Sequence, residues 1–133
     1  MKTNVLTLAP SDFAQLARDI LSHPGRTLCF HARGSSMAPF IRNRDLLIVA
    51  SIGSVPLRCG DIVLYQRSDG APIVHRILTR TPRRDTLILQ TRGDSHAGPR
   101  ESVPIDQVLG RVIGVRRGTR HIRIDRRLPR WTA

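Results

Sequence analysis

The apolar positions of this chain change period once, near residue 25. Upstream, Phe13, Leu16, Ala17, Ile20 and Leu21 recur at helical spacing and gather on one side, which predicts a short amphipathic helix over 11–21 with Ser11 as its N-cap and Pro24-Gly25 closing it. Downstream, the apolar residues come in short β-branched or alternating runs cut by Gly, Pro and Asp. These predict strands over 27–33, 45–50, 61–66, 73–79, 86–91, 108–116 and 120–124. Ser68-Asp69-Gly70 and the 82–85 stretch read as hairpin turns. The fold class is therefore mainly β, a barrel or sandwich preceded by one short helix. The chain divides into an N-terminal arm and helix over 1–26, a β domain over 27–117 and a basic C-terminal strand and tail over 118–133.

Composition narrows the chemistry. With 133 residues and 40% hydrophobic content the chain can bury one modest core. No apolar run approaches the roughly 20 residues needed to span a bilayer. The opening residues also lack a signal peptide's apolar stretch, so a soluble protein without a membrane anchor is expected. Cys29 and Cys59 make neither a disulfide framework nor a closed zinc site, which points to the cytoplasm and implies no metal or other cofactor. Three Phe, one Tyr and one Trp are too few for the stacking platforms of a single-strand nucleic-acid binder. The formal charge is +12, and of the 22 basic residues only Lys2 is a lysine. Arginine stays protonated and does not serve as a general base, so a catalytic lysine is all but excluded.

Three stretches then stand out. Gly34-Ser35-Ser36-Met37-Ala38-Pro39 follows a predicted strand and suits a tight turn that presents a hydroxyl beside its own backbone N–H groups, although small polar residues are what any turn uses. In Pro72-Ile73-Val74-His75-Arg76-Ile77, alternation sets Ile73, His75 and Ile77 on one strand face, so that His75 is half-buried, as a core histidine or a working one. Thr91-Arg92-Gly93-Asp94-Ser95 ends another strand with an acid, which alone is a common turn.

Their order, together with Asp45, Cys59-Gly60-Asp61-Ile62-Val63 and Val108-Leu109-Gly110-Arg111-Val112, resembles the signal peptidase I and LexA-like serine peptidase superfamily over roughly residues 27–117. The resemblance implies a coiled, mostly antiparallel β-barrel-like peptidase domain. The general base of that superfamily is a lysine in bacterial signal peptidases and LexA-type autoproteases, and a histidine in the endoplasmic-reticulum and archaeal branch. Here the position holds His75, so the resemblance assigns Ser36 as nucleophile and His75 as general base. A neutral imidazole with an ordinary pKa of about 6.5 can take a seryl proton at neutral pH. Backbone N–H groups of the turn from Gly34 through Ser35 and Ser36 to Met37 are the expected oxyanion donors. Bacterial signal peptidases add a serine hydroxyl two positions before the nucleophile, where this chain has Gly34. Asp94 matches the first acid of the histidine branch. The second, orienting acid has no direct counterpart, since the sequence there reads Arg100-Glu101. Asp94 or Glu101 is left to orient His75, or a bare Ser-His dyad remains.

Two further features belong to partners. A metal site from His75, Asp94 and His96 is conceivable but lacks metal-ligand spacing. The C-terminal run Arg111, Arg116, Arg117, Arg120, Arg123, Arg126, Arg127 and Arg130, ending at Trp131, is either a solvated basic face or a dock for an acidic protein segment, anionic lipid headgroups or nucleic acid. Function is accordingly expected to be that of a soluble serine endopeptidase cleaving a specific extended peptide or protein in trans. A silent peptidase fold used as a binding module and a LexA-like autoprotease stay open. Autoproteolysis ranks lower because that branch cuts Ala-Gly or Cys-Gly upstream of the serine, whereas Cys59-Gly60 and Ala97-Gly98 lie downstream.

Overall fold

Proline lacks the N–H that a first helical turn leaves unpaired anyway, and Pro10 opens α1 (Pro10–Leu21) in the computed structural model, which describes residues 9–53 and 55–124. The helix thus starts one residue before the predicted position. Ser11 lies inside its first turn, and Ala9 takes the N-cap with no side-chain hydrogen bond. Its apolar stripe buries Ala14, Ala17 and Leu21 against Leu47, Val49, Ile62, Leu64 and Val112 of the sheet. The helix therefore shares one core with the strands that follow it.

Those strands are β1 (Thr27–His31), β2 (Leu46–Ala50), β3 (Ile62–Gln66), β4 (Pro72–Arg83), β5 (Thr86–Arg92), β6 (Glu101–Pro104), β7 (Val108–Arg117) and β8 (Arg120–Arg123), with a 3-10 turn over Ile105–Gln107. All their pairings are antiparallel, in the order β1-β2-β7-β3-β4-β5-β6, and β8 also pairs with β7. β7 carries β2 along one edge and β3 followed by β8 along the other. The architecture is mainly β with one α-helix, as the hydrophobic pattern predicts. The sheet is open, not closed into a barrel. Its β6 edge is four residues long and ends in Pro104, which has no N–H to offer a further strand.

β3 is buried on both faces. Ile62 and Leu64 face α1, while Val63 and Tyr65 join a second core with Leu57, Ile77, Leu89 and Val103. Because side chains alternate along a strand, His75, between Ile73 and Ile77 on β4, belongs to this second face. Two differences from the predicted strands have physical causes. β6 escapes a pattern search because its four residues include one buried apolar side chain, Val103. β4 runs on to Arg83, since Arg80 to Arg83 pair with Leu89 to Thr86 although their side chains are all exposed and carry no apolar alternation.

Candidate active site

The segment between β1 and β2 folds back on itself. The Ala32 N–H donates to the Asp45 carbonyl at 2.7 Å, the Arg44 N–H to the Ala32 carbonyl at 2.8 Å, and the Gly34 N–H to Asn43 Oδ1 at 2.9 Å. Met37 and Ile41 drop into the core beneath α1, which pins the loop from below and leaves Ser36 on the solvent side. Asp45, 4% exposed, closes the loop from within. It accepts the Arg42 N–H and a two-pronged contact from Arg117, whose Nη2 also reaches the Phe40 carbonyl at 3.1 Å. That guanidinium holds the Asp45 carboxyl below the usual carboxylate range. In the turn, the Gly34 N–H is committed to Asn43, whereas the N–H groups of Ser35, Ser36 and Met37 have no partner among the described residues.

His75 stands opposite Val63 of β3, with 12% of its side chain exposed. Burial pushes the imidazole below its ordinary value, with Glu101 and Asp94 opposing the shift and Arg67 adding to it. The ring is therefore neutral at neutral pH. Its Nδ1 lies 3.3 Å from the Tyr65 hydroxyl and 3.8 Å from Glu101 Oε1. The Tyr65 hydroxyl donates to Glu101 Oε1 at 2.5 Å and accepts from Thr91 Oγ1 at 3.2 Å. Arg67 grips the same carboxylate through Nε at 2.8 Å and Nη2 at 3.1 Å. Chiefly through this contact, Glu101 is held below the usual carboxylate range.

On the Nε2 side, the Gly93 turn lies against both the histidine and the Ser36 main chain. A Cβ at Gly93 would lie 2.4 Å from the Ser36 carbonyl oxygen and 3.1 Å from His75 Nε2, so only a glycine leaves room for both at this position. The Ser95 N–H donates to the Ser36 carbonyl at 2.9 Å, and the Asp94 N–H approaches Met37 Sδ at 3.4 Å. The main chain of Ser36 is the part in contact. Its hydroxyl makes no hydrogen bond to the imidazole among the described residues.

A family model for peptidase S24-like proteins matches residues 3–113. The chain belongs to the peptidase S24-like family. It is also 31% identical over 71 residues to signal peptidase I W of Bacillus subtilis (strain 168), a match covering 53% of this chain and 37% of that protein. The S24-like chain thus spans well under two thirds of that curated relative's length. Membership places it with serine peptidases as a kind of enzyme. No helix among the described residues is long and apolar enough to cross a membrane.

Within this S24-like site, Ser36, Ser35 and Met37 share one turn with His75 beside it, and Glu101 lies behind the histidine. Asp94 is turned elsewhere: both its oxygens accept from Arg76, at 2.9 and 2.8 Å, and Arg76 also reaches the Gly60 carbonyl and lies 5.1 Å from the Phe40 ring. His96 is exposed, and no group of three or more metal-ligating side chains occurs among the described residues. Two members of the arginine run are internal supports. Arg111 is 1% exposed and donates to the Ile52 and Val55 carbonyls, and Arg117 binds Asp45. Arg126, Arg127, Arg130 and Trp131 lie outside the described residues. Sequence reasoning missed Tyr65, Arg67 and Thr91. The available signal was that Tyr65, the chain's single tyrosine, alternates with Val63 on the strand beside the His75 strand.

Proposed function

We propose that this S24-like chain is a serine endopeptidase acting in trans on an extended peptide or protein segment, with Ser36 as nucleophile, His75 as general base and Glu101 as the acid behind the histidine. The supporting observation is that the Ser36 carbonyl and His75 Nε2 both border Gly93, while the other ring nitrogen is turned to the Tyr65 hydroxyl and Glu101. His75 Nε2 takes the proton as Ser36 Oγ attacks the scissile carbonyl. The N–H groups of Ser35, Ser36 and Met37, without a partner among the described residues, are the proposed donors to the oxyanion. The imidazolium then returns its proton to the departing amine as the C–N bond breaks, and water, deprotonated by the same imidazole, releases the acyl group and restores the serine. Asp94, neutralised by Arg76, holds the turn and takes no part in proton transfer.

A fluorophosphonate probe tests this reading. The parent chain is expected to label covalently, and Ser36→Ala and His75→Ala are each expected to abolish labelling while keeping the parent circular dichroism. Labelling that survives Ser36→Ala, or a folded parent chain that never labels, would refute it.

A further inference from the structure

The proton inventory around Tyr65 carries a step beyond that reading, on which it rests. A phenol has one proton to give and lone pairs to accept with. The Tyr65 hydroxyl lies 2.5 Å from Glu101 Oε1, and an ionised carboxylate only accepts, so the single phenolic proton is spent there. Thr91 Oγ1 donates to the same oxygen at 3.2 Å. The remaining contact, 3.3 Å to His75 Nδ1, can then be a hydrogen bond only if the histidine is the donor. A neutral imidazole carries one N–H; with it on Nδ1, the Nε2 lone pair is left facing Gly93 and the Ser36 turn. We propose that Tyr65 is the positioning residue of the site: its hydroxyl, polarised by Glu101, holds neutral His75 as the Nδ1–H tautomer, and the carboxylate acts on the base through the phenol rather than directly.

Geometry separates this from a direct acid–histidine pair. Glu101 Oε1 is 3.8 Å from Nδ1, beyond hydrogen-bond reach, whereas the Tyr65 oxygen stands within reach of both. The carboxylate is otherwise occupied by Arg67 through Nε and Nη2. Tyr65 is itself fixed, being 1% exposed, so its hydroxyl cannot swing to water. The arrangement also gives a role to Glu101, near the place where the histidine branch has its second acid: a glutamate on β6, too far to touch the imidazole, is brought into play by the one tyrosine on β3.

The test reads the tautomer itself, independently of peptidase activity. Long-range proton–nitrogen correlation on the nitrogen-15-labelled chain at neutral pH, with His75 assigned by loss of its signals in His75→Gln, is expected to show Nδ1 protonated and Nε2 bare. The same is expected in Ser36→Ala, which has no nucleophile. Tyr65→Phe, which keeps the ring and removes only the oxygen, is expected to shift His75 to the Nε2–H form that free imidazole side chains prefer. With the probe, that variant is expected to lose about 10²-fold in the rate of covalent reaction while its affinity for the probe stays at the parent value. Should Tyr65→Phe not fold, Glu101→Gln takes its place, since freeing the phenolic proton lets it turn to Nδ1 and mixes the tautomers. An Nε2–H parent, or an Nδ1–H form persisting in the variant, overturns the proposal. An Nδ1–H parent that never reacts with the probe instead overturns the peptidase reading and leaves the tyrosine's role standing.

Discussion

The Glu101 carboxylate does two things to His75 that pull in separate directions on activity. Its charge raises the histidine's proton affinity, against a burial effect that lowers it. A base must be neutral to work, so in the proposed mechanism the depressed value extends activity to lower pH than an ordinary imidazole of about 6.5 would allow. Glu101→Gln removes the raising influence and leaves Arg67 unopposed. The acidic limb of the rate–pH profile is then expected to move to still lower pH while the maximal rate falls, by about 10-fold or more. A limb displaced to higher pH would contradict the assignment. At the level of single residues, the scarcity of lysine pointed to His75, and the box around Ser36 set the register of the proposed nucleophile. The surroundings of the histidine were not legible. Tyrosine in a strand reads as β-propensity and packing, and nothing in one dimension shows a hydroxyl meeting a carboxylate 36 residues later.

Among the elements, the turn from β5 toward β6 matters more to the site than either strand. Gly93 and Ser95 meet the nucleophile turn through its carbonyl, and Asp94 is tied to Arg76 of β4, so the one connection joins the serine loop to the histidine strand. Gly93→Ala places a carbon 2.4 Å from the Ser36 carbonyl oxygen and must push the turn and the serine loop apart. Since a displacement near 1 Å can cost about 10²-fold in rate, probe labelling is expected to slow by about that factor, with a stability loss of about 1–3 kcal/mol in urea unfolding. Parent-like labelling would refute the turn's role. In the sequence, Gly93-Asp94 looked like a place where a candidate acid sits. The structure gives the glycine the steric role and the aspartate an ion pair, because Arg76 projects from the neighbouring strand at hydrogen-bond range. The helix was readable from its one consistent period, and the longer strands from their β-branched or alternating runs. β6 was not, having room for a single buried side chain.

For the whole molecule, the excess of arginine divides into two populations. Arg111 and Arg117 are structural, one buried under loop carbonyls and the other clasping Asp45, and a count of charges cannot separate them from their surface neighbours. The net +12 still acts on the folded state as self-repulsion. Raising salt from about 0.01 M to about 0.15 M shortens the screening length from about 30 Å to about 8 Å. If that relieves about 1 kcal/mol, Tm is expected to rise by about 4 °C in sodium chloride. A Tm that stays flat or falls would mean that internal ion pairs such as Arg117–Asp45 outweigh the repulsion. The Gly93 contact, finally, bears on when the chain becomes a working unit. A nascent polypeptide that has emerged only through β4 already carries Ser36 and His75, yet it lacks the turn that joins them and the carboxylate behind the base. The surroundings of His75 are therefore complete only once β6 has been made.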